Sequence, residues 1–139
     1  MHSAVLFALL LQMRFHSPSC TPSEGWEFVV RSRDVDKSPR WPDSHDAPPL
    51  APRAAVRAAR SILGKMPCKE AEGWELAAVA LRPVAGEPNV WVYMVTFVEP
   101  FRVSKGSVAG SMPRRVVDIP VLLDGTALTP VVGPWPPKR

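Results

Sequence analysis

The segment PRAAVRAARSILGKM, residues 52–66, decides the fold, because it carries the one strong helical pattern in the chain. Alanine favours helix more than any other residue, and a proline suits the first helical turn. The apolar residues recur at spacings of three and four, which predicts an amphipathic helix that ends before Pro67. Those on the predicted buried face are Ala55, Val56, Ala59, Ile62, Leu63 and Met66.

Three strand patterns follow this helix in series. Residues 74–81, WELAAVAL, alternate along the chain, and their small side chains predict that something large packs over one face. Residues 90–98, VWVYMVTFV, are apolar on both faces, which predicts a central strand. Residues 115–123 form the third pattern, where Pro120 removes a backbone donor and indicates an edge strand or a bulge. Asp124-Gly125 then predicts a tight hairpin turn.

Four side chains of the central pattern, Trp91, Tyr93, Val95 and Phe97, fall on one face. We expect this row to form the core beneath the helix. The alternative is an exposed aromatic groove that binds a ligand or a peptide.

Upstream of the helix, residues 24–33 alternate as a half-buried strand, and residues 34–51 read as a polar loop anchored by Trp41. A strand, a helix and then strands in series favour α+β over alternating α/β. We therefore predict one domain over residues 24–130, with one amphipathic helix packed on a four- to five-stranded antiparallel sheet. Residues 131–139 are expected to form an extended tail.

Residues 1–22 are interpreted as an export signal or a flexible N-terminal segment. The apolar run at 4–11 is too short to span a bilayer and fits the hydrophobic part of a signal peptide, although Arg14 follows the run instead of preceding it. The interpretation predicts a secreted, periplasmic or cell-envelope protein without a membrane span. A lipid anchor on Cys20 and a Cys20–Cys68 disulfide are less favoured alternatives.

The helix AAVRAARSIL and the strands WELAAVAL, VWVYMVTF and VLLDGTAL together resemble small exported domains of the PepSY and cystatin-like kind. The chain also resembles uncharacterised bacterial proteins with a Pro-Pro-Leu before the helix, here Pro48-Pro49-Leu50. The resemblance covers about residues 48–130, and it implies a binding, inhibitory or accessory role outside the cytoplasm. The long loop at 99–113 and the strand at 24–33 depart from that pattern.

Chemistry-bearing residues are few. Asp43, His45 and Asp46 suggest either a small metal or acid–base site or a solvated loop, and their adjacency in a polar run favours the loop. Cys68 has no histidine partner other than His45, and there is no phosphate-binding or dinucleotide-binding motif. We therefore predict a protein that is not an enzyme, with no catalytic residue, cofactor or metal.

The net charge of +4 is concentrated around the helix. Arg53, Arg57 and Arg60 share its polar face, so they are either a solvated surface or a partner-binding stripe for an acidic protein, anionic lipid or nucleic acid. No aromatic residues interleave with them, which argues against nucleic acid.

The leading prediction is a non-catalytic interaction or inhibitor-like module that binds a protein or peptide. One alternative is a protein that binds a small molecule in a pocket between helix and sheet, either as a binding protein or as an enzyme. Another is a structural accessory domain.

Overall fold

The computed structural model of the chain describes residues 13–18, 23–66, 73–100 and 114–136. The predicted signal run at 4–11, the two cysteines and most of the loop at 99–113 lie outside these residues, so the expectations placed on them stay predictions.

Six strands and two helices make up the described chain. They are β1 Met13–Pro18, β2 Glu24–Val30, α1 Ser32–Lys37, α2 Pro52–Lys65, β3 Glu75–Pro83, β4 Trp91–Val98, β5 Val116–Leu122 and β6 Val131–Pro134. The strands form two antiparallel three-stranded sheets, ordered β1-β2-β6 and β3-β4-β5.

The predicted α+β class and antiparallel pairing are confirmed, whereas the finer architecture is matched only in part. The described strands divide into two sheets of three instead of one sheet of four or five. The division arises because β2 pairs with residues 13–18 and 131–134, at the two ends of the described chain, and not with the strands that follow α2. A second, short helix, α1, also forms where the sequence predicted the end of the strand at 24–33 and the start of the polar loop at 34–51. Its first turn is held by Asp34, whose Oδ2 accepts a hydrogen bond from the N–H of Arg31 at 2.8 Å.

Helix α2 begins at Pro52 and ends at Lys65, as its sequence pattern predicts. Of its predicted apolar face, Ala55, Ala59 and Leu63 are buried, as is Met66 just beyond the helix. The helix contacts β4 and β5. Because Ala55 and Ala59 carry only a methyl group, the helix backbone lies close to the sheet.

Strand β4 is the centre of its sheet, and four consecutive residues from Val92 to Val95 are buried. Phe97 is also buried, and the hydroxyl of Tyr93 donates a hydrogen bond to the carbonyl of Leu50, just before α2, at 2.7 Å. The expectation that Tyr93, Val95 and Phe97 belong to the core is thereby confirmed. Trp91, the fourth member of that row, is only half-buried.

Tyr93 is the single tyrosine of the chain, and burial raises the pKa of its phenol. Because the folded protein then holds the phenolic proton more tightly than the unfolded chain does, this contribution to stability is complete below the ordinary pKa of about 10. It is lost as the pH rises through the folded pKa. We expect the ultraviolet absorbance of the phenolate to appear above pH 10 and to coincide with alkaline destabilisation. The Tyr93→Phe variant should lack the absorbance change and lose less stability over the same pH range; titration of the native protein at the ordinary pKa would contradict the burial.

Replacing either of two glycines by alanine should change the free energy of unfolding, with opposite signs at the two positions. A Cβ at Gly64, in α2, meets no atom within 4 Å, so Gly64→Ala should raise the free energy of unfolding by about 0.5–1 kcal/mol. A Cβ at Gly25 lies 2.7 Å from Cε3 of Trp135 and 3.0 Å from the carbonyl oxygen of Ser17. Gly25→Ala should therefore lower that free energy by about 1–3 kcal/mol. Urea denaturation of both variants measures the two shifts, and shifts of equal sign would disagree with the packing around one of them.

Candidate functional site

Strand β3 is the most exposed long strand of the described chain. It lies at the edge of its sheet, and among the described strands its only neighbour is β4. Leu76 is 42% exposed, and Ala77, Ala78 and Ala80 are exposed as well. The alanines had predicted that a large group packs over one face; among the described residues none covers them, because α2 lies over β4 and β5 instead.

Hydrogen bonds of the edge strand β5 show to which side of its strand each residue directs its backbone N–H and C=O groups. The N–H of Leu128 donates to the carbonyl of Pro120 at 3.0 Å, so Pro120 points its backbone away from β4. This orientation confirms that Pro120 lies in an edge strand, where its missing donor costs nothing to the ladder. Antiparallel residues alternate in direction, so Val121 points toward β4 and bonds its register partner Tyr93.

The same alternation identifies the free groups of β3. Since Tyr93 points toward β5, Met94 points toward β3, where its register partner is Ala80. The neighbours Val79 and Leu81 must then point their N–H and C=O groups away from β4. No described residue pairs with this outer edge, which therefore presents two backbone donors and two acceptors.

The outer edge of β5 differs, because other described segments occupy it. The returning segment at 126–128 forms a bridge with Val121 and bonds Pro120 and Leu122. Further along, the hydroxyl of Ser17 accepts a hydrogen bond from the N–H of Asp118 at 3.4 Å. In the other sheet, β1 and β6 are the edge strands: β1 contacts β5, and β6 has only four residues. Of these edges, β3 offers the longest unpaired run.

The three arginines predicted as a partner-binding stripe do not behave alike. Arg53 and Arg57 are exposed on α2, in agreement with a polar helix face. Arg60 is also exposed, but its guanidinium lies over the ring of Phe97, with Cζ 5.1 Å from the ring centroid, and donates a hydrogen bond to the carbonyl of Trp74 at 3.5 Å. All three arginines of the stripe are therefore exposed, and Arg60 also contacts the sheet.

A cleft of about 300 Å³ lies where the loop after α1 meets the start of β4. Its walls include the indoles of Trp41 and Trp91, whose centroids are 5.4 Å apart in an edge-to-face arrangement. The loop is held in place by its backbone: Trp41 N–H donates to the carbonyl of Asn89 at 2.8 Å, and its indole N–H donates to the carbonyl of His45 at 3.0 Å. Trp41 is thus the anchor that the sequence predicted.

Asp43 and His45 also line this cleft. Asp46 is exposed and does not line it. In the described part of the chain, no group of three histidine, cysteine, aspartate or glutamate side chains is placed to hold a metal ion. The cleft therefore joins aromatic walls to one carboxylate and one imidazole, without a metal-binding cluster.

One polar cluster was not predicted from the sequence, because its histidine falls within the predicted signal segment. His16 of β1 is the register partner of Glu27 of β2. Glu27 accepts from Arg14 at 3.0 Å and lies 3.4 Å from the Nε2 of His16. These residues line a cleft of about 280 Å³ beside Trp135. The alternation of polar and apolar residues in MRFHSP was the signal that could have revealed this strand.

A smaller cavity of about 160 Å³ lies between the end of α2 and the β2–β6 pair, next to Trp26 and Met66. The alternative ligand pocket predicted from sequence lay between the helix and the strand of Trp91 and Tyr93, and neither of those residues lines this cavity. Ligand sites usually measure about 300–1,000 Å³, so the cavity is small for a drug-sized molecule.

Within the described ranges, no helix is both long enough and apolar enough to cross a membrane. Comparison with protein-family models, curated proteins and solved structures finds no match to this chain. The resemblance to PepSY and cystatin-like domains therefore stays a prediction.

Proposed function

We propose that this protein is a non-catalytic interaction module that binds an extended peptide segment of a partner protein by strand addition to β3. One observation carries the proposal: the outward backbone groups of Val79 and Leu81 lie on an exposed edge that no described segment pairs with. An export signal in the apolar run at 4–11, ahead of β1, would give the module an extracytoplasmic location, and that remains part of the proposal.

The backbone pattern favours a peptide over other ligands. Val79 and Leu81 each offer a donor and an acceptor, and the two residues are about 7 Å apart along the strand. An extended chain presents complementary groups at the same spacing, as in other cases of strand addition. A compact small molecule could form hydrogen bonds with the backbone groups of one of these residues but not with those of both.

The side chains of β3 indicate which residues the partner segment carries. Val79 and Leu81 share a face with their register partners Val95 and Tyr93, and both are half-buried against the core. A partner strand would extend this apolar row. On the opposite face, Ala78 and Ala80 leave room for bulky partner side chains. We therefore expect alternating apolar residues on the first face and large residues on the second.

The ends of the edge limit the length of the added strand. The register of β3 shifts between Leu76 and Ala78, which interrupts the regular ladder, and Pro83 lacks the donor that would continue the edge. The regular edge between these points fits a partner strand of about five to seven residues.

Amide hydrogen exchange tests whether the edge is free in the native protein. The amides of Val79 and Leu81 should exchange rapidly, whereas those of Ala78 and Ala80, which point toward β4, should be protected by at least about 100-fold. Rapid exchange along the whole strand would show that β3 is not stably paired. Protection of all four amides would show that the outer edge is already occupied.

A peptide-display selection tests binding itself. Seven-residue random peptides are selected on the native protein, and each recovered peptide is measured against Val79→Pro and Val79→Ala. The proline removes the outward donor while leaving the ladder to β4, so affinity should fall by about tenfold or more. The alanine retains the donor and should cost less. Methylation of the backbone nitrogen on every second peptide residue should abolish binding when those residues direct their N–H groups toward β3. Methylation of the other alternate set should leave binding intact.

Two results would overturn the proposal. The first is a set of peptides that bind Val79→Pro as tightly as the native protein, because their site then lies elsewhere. The second is self-association of the purified protein that Val79→Pro abolishes, because the occupant of the edge is then a second copy. Thermal unfolding of both variants confirms that the measured protein is folded.

A further inference from the structure

We propose that the cleft between Trp41 and Trp91 binds a quaternary ammonium group. The proposal concerns a site separate from the outer edge of β3 and does not depend on strand addition.

The two indoles form adjoining walls of the cleft. Their planes meet at 63° and their centroids are 5.4 Å apart, so the rings make a corner instead of a parallel stack. Both side chains are half-buried, which leaves part of each ring accessible from the cleft. Indole faces carry partial negative charge and attract cations, and tryptophan attracts them more strongly than the other aromatic residues do.

The charge around the corner favours a positive ligand. Asp43 lines the cleft, and its side chain is exposed. The nearest cationic residue in the sequence, Arg40, is directed elsewhere: it donates to the carbonyl of Pro88 at 2.6 Å and lies 3.8 Å from Glu87. No described lysine or arginine lines the cleft, so its carboxylate is available to a ligand.

The scarcity of hydrogen-bond acceptors indicates which cation fits. The indole N–H of Trp41 is already bonded to the carbonyl of His45, so it takes no part in ligand binding. A primary ammonium has three donors to satisfy, and on the side-chain lining only Asp43 and His45 offer acceptors. A quaternary ammonium has no donors and loses little hydration when it enters an aromatic corner.

The corner is preorganised, which is the property that makes a weak aromatic site usable. Besides the bonds of Trp41, the N–H of His45 donates to the carbonyl of Pro42 at 3.0 Å and closes a turn. A ligand therefore finds the two rings in place and does not have to order the loop on binding.

Choline and its uncharged isostere 3,3-dimethylbutan-1-ol provide the test. The two molecules have nearly the same shape, so their difference reports the charge alone. Each is titrated into the native protein while the indole N–H signals of the five tryptophans are followed by NMR. We expect choline to shift the signals of Trp41 and Trp91, with an affinity at least about tenfold above that of the alcohol.

Matched variants locate the site. Asp43→Asn removes the carboxylate that lines the cleft, and choline affinity should fall by about threefold or more. Asp46→Asn removes an exposed carboxylate that does not line it and should change little. A peptide containing trimethyllysine, compared with the same peptide containing lysine, tests whether the cation belongs to a protein instead of a free small molecule; tighter binding of the peptide than of choline assigns the protein source.

Equal affinity for choline and the alcohol would overturn the proposal, because the corner would then select shape and not charge. Shifts confined to tryptophans other than Trp41 and Trp91 would do the same, since the ligand would bind elsewhere. Because Asp43 is exposed, neither aspartate variant is expected to unfold the protein, and their amide spectra check this.

Discussion

Replacing Phe97 by alanine is expected to lower the free energy of unfolding by about 3–5 kcal/mol. Phe97 is fully buried in β4, and its ring also carries the guanidinium of Arg60 from α2. Truncation removes the transfer energy of the ring and leaves a cavity between helix and sheet. Urea denaturation followed by circular dichroism measures the change, with an unaltered m-value if the two-state transition is kept.

The control for this variant lies directly opposite on the neighbouring strand. Leu76 is the register partner of Phe97 but remains 42% exposed. Leu76→Ala should cost no more than about 1 kcal/mol, because part of its surface stays in water in the folded state. A cost for Phe97→Ala as small as that for Leu76→Ala would mean that α2 does not cover the end of β4.

Replacing Ala59 by leucine is expected to lower the free energy of unfolding by about 1–3 kcal/mol. Ala59 is fully buried on the face of α2 that lies against β4 and β5. Three additional carbons at this position force the helix away from the sheet or force neighbouring side chains out of their preferred rotamers. The same denaturation experiment measures the loss.

Ser61 provides the matched control, because it is exposed two residues later in the same helix. Ser61→Leu adds a similar side chain without a packing conflict, so its effect should stay within about 0.5 kcal/mol. If Ala59→Leu were as mild as Ser61→Leu, the alanine face of α2 would not be in close contact with the sheet.

The parts of the fold that local periodicity encodes were predictable from sequence. Helix α2 was readable from its spacing of three and four, and β4 from its apolar residues on both faces. Pro120 indicated an edge strand because proline has no N–H to donate to a second neighbouring strand, whatever the sheet. In each case the information lies within about fifteen residues of the chain.

The pairing of distant segments was not predictable in the same way. Strand β2 lies between β1 and β6, which come from opposite ends of the described chain. Nothing in the pattern of residues 24–33 selects those partners over β3 or β5, because a half-buried alternating strand fits either sheet. The Trp41–Trp91 corner depends on a similar long-range contact, so its residues were recognised singly but not as one cleft.

The alanines of β3 show a different limit. Small side chains on a strand allow close packing, and they equally allow an open surface. The sequence of residues 74–81 does not distinguish these cases, since the outcome depends on where α2 lies. With α2 over β4 and β5, the alanines remain exposed and the strand becomes the candidate binding edge.

The unequal edges of the β3-β4-β5 sheet set an upper bound on assembly through that sheet. A filament can grow through a sheet only if each subunit presents two unpaired, complementary sheet edges, so that each subunit can bind the next. Among the described residues, the outer edge of β5 is occupied by residues 126–128 and Ser17, whereas no segment pairs with the outer edge of β3. Two molecules that paired through β3 would occupy the outer edge of β3 in both, so assembly through this sheet would end at a dimer.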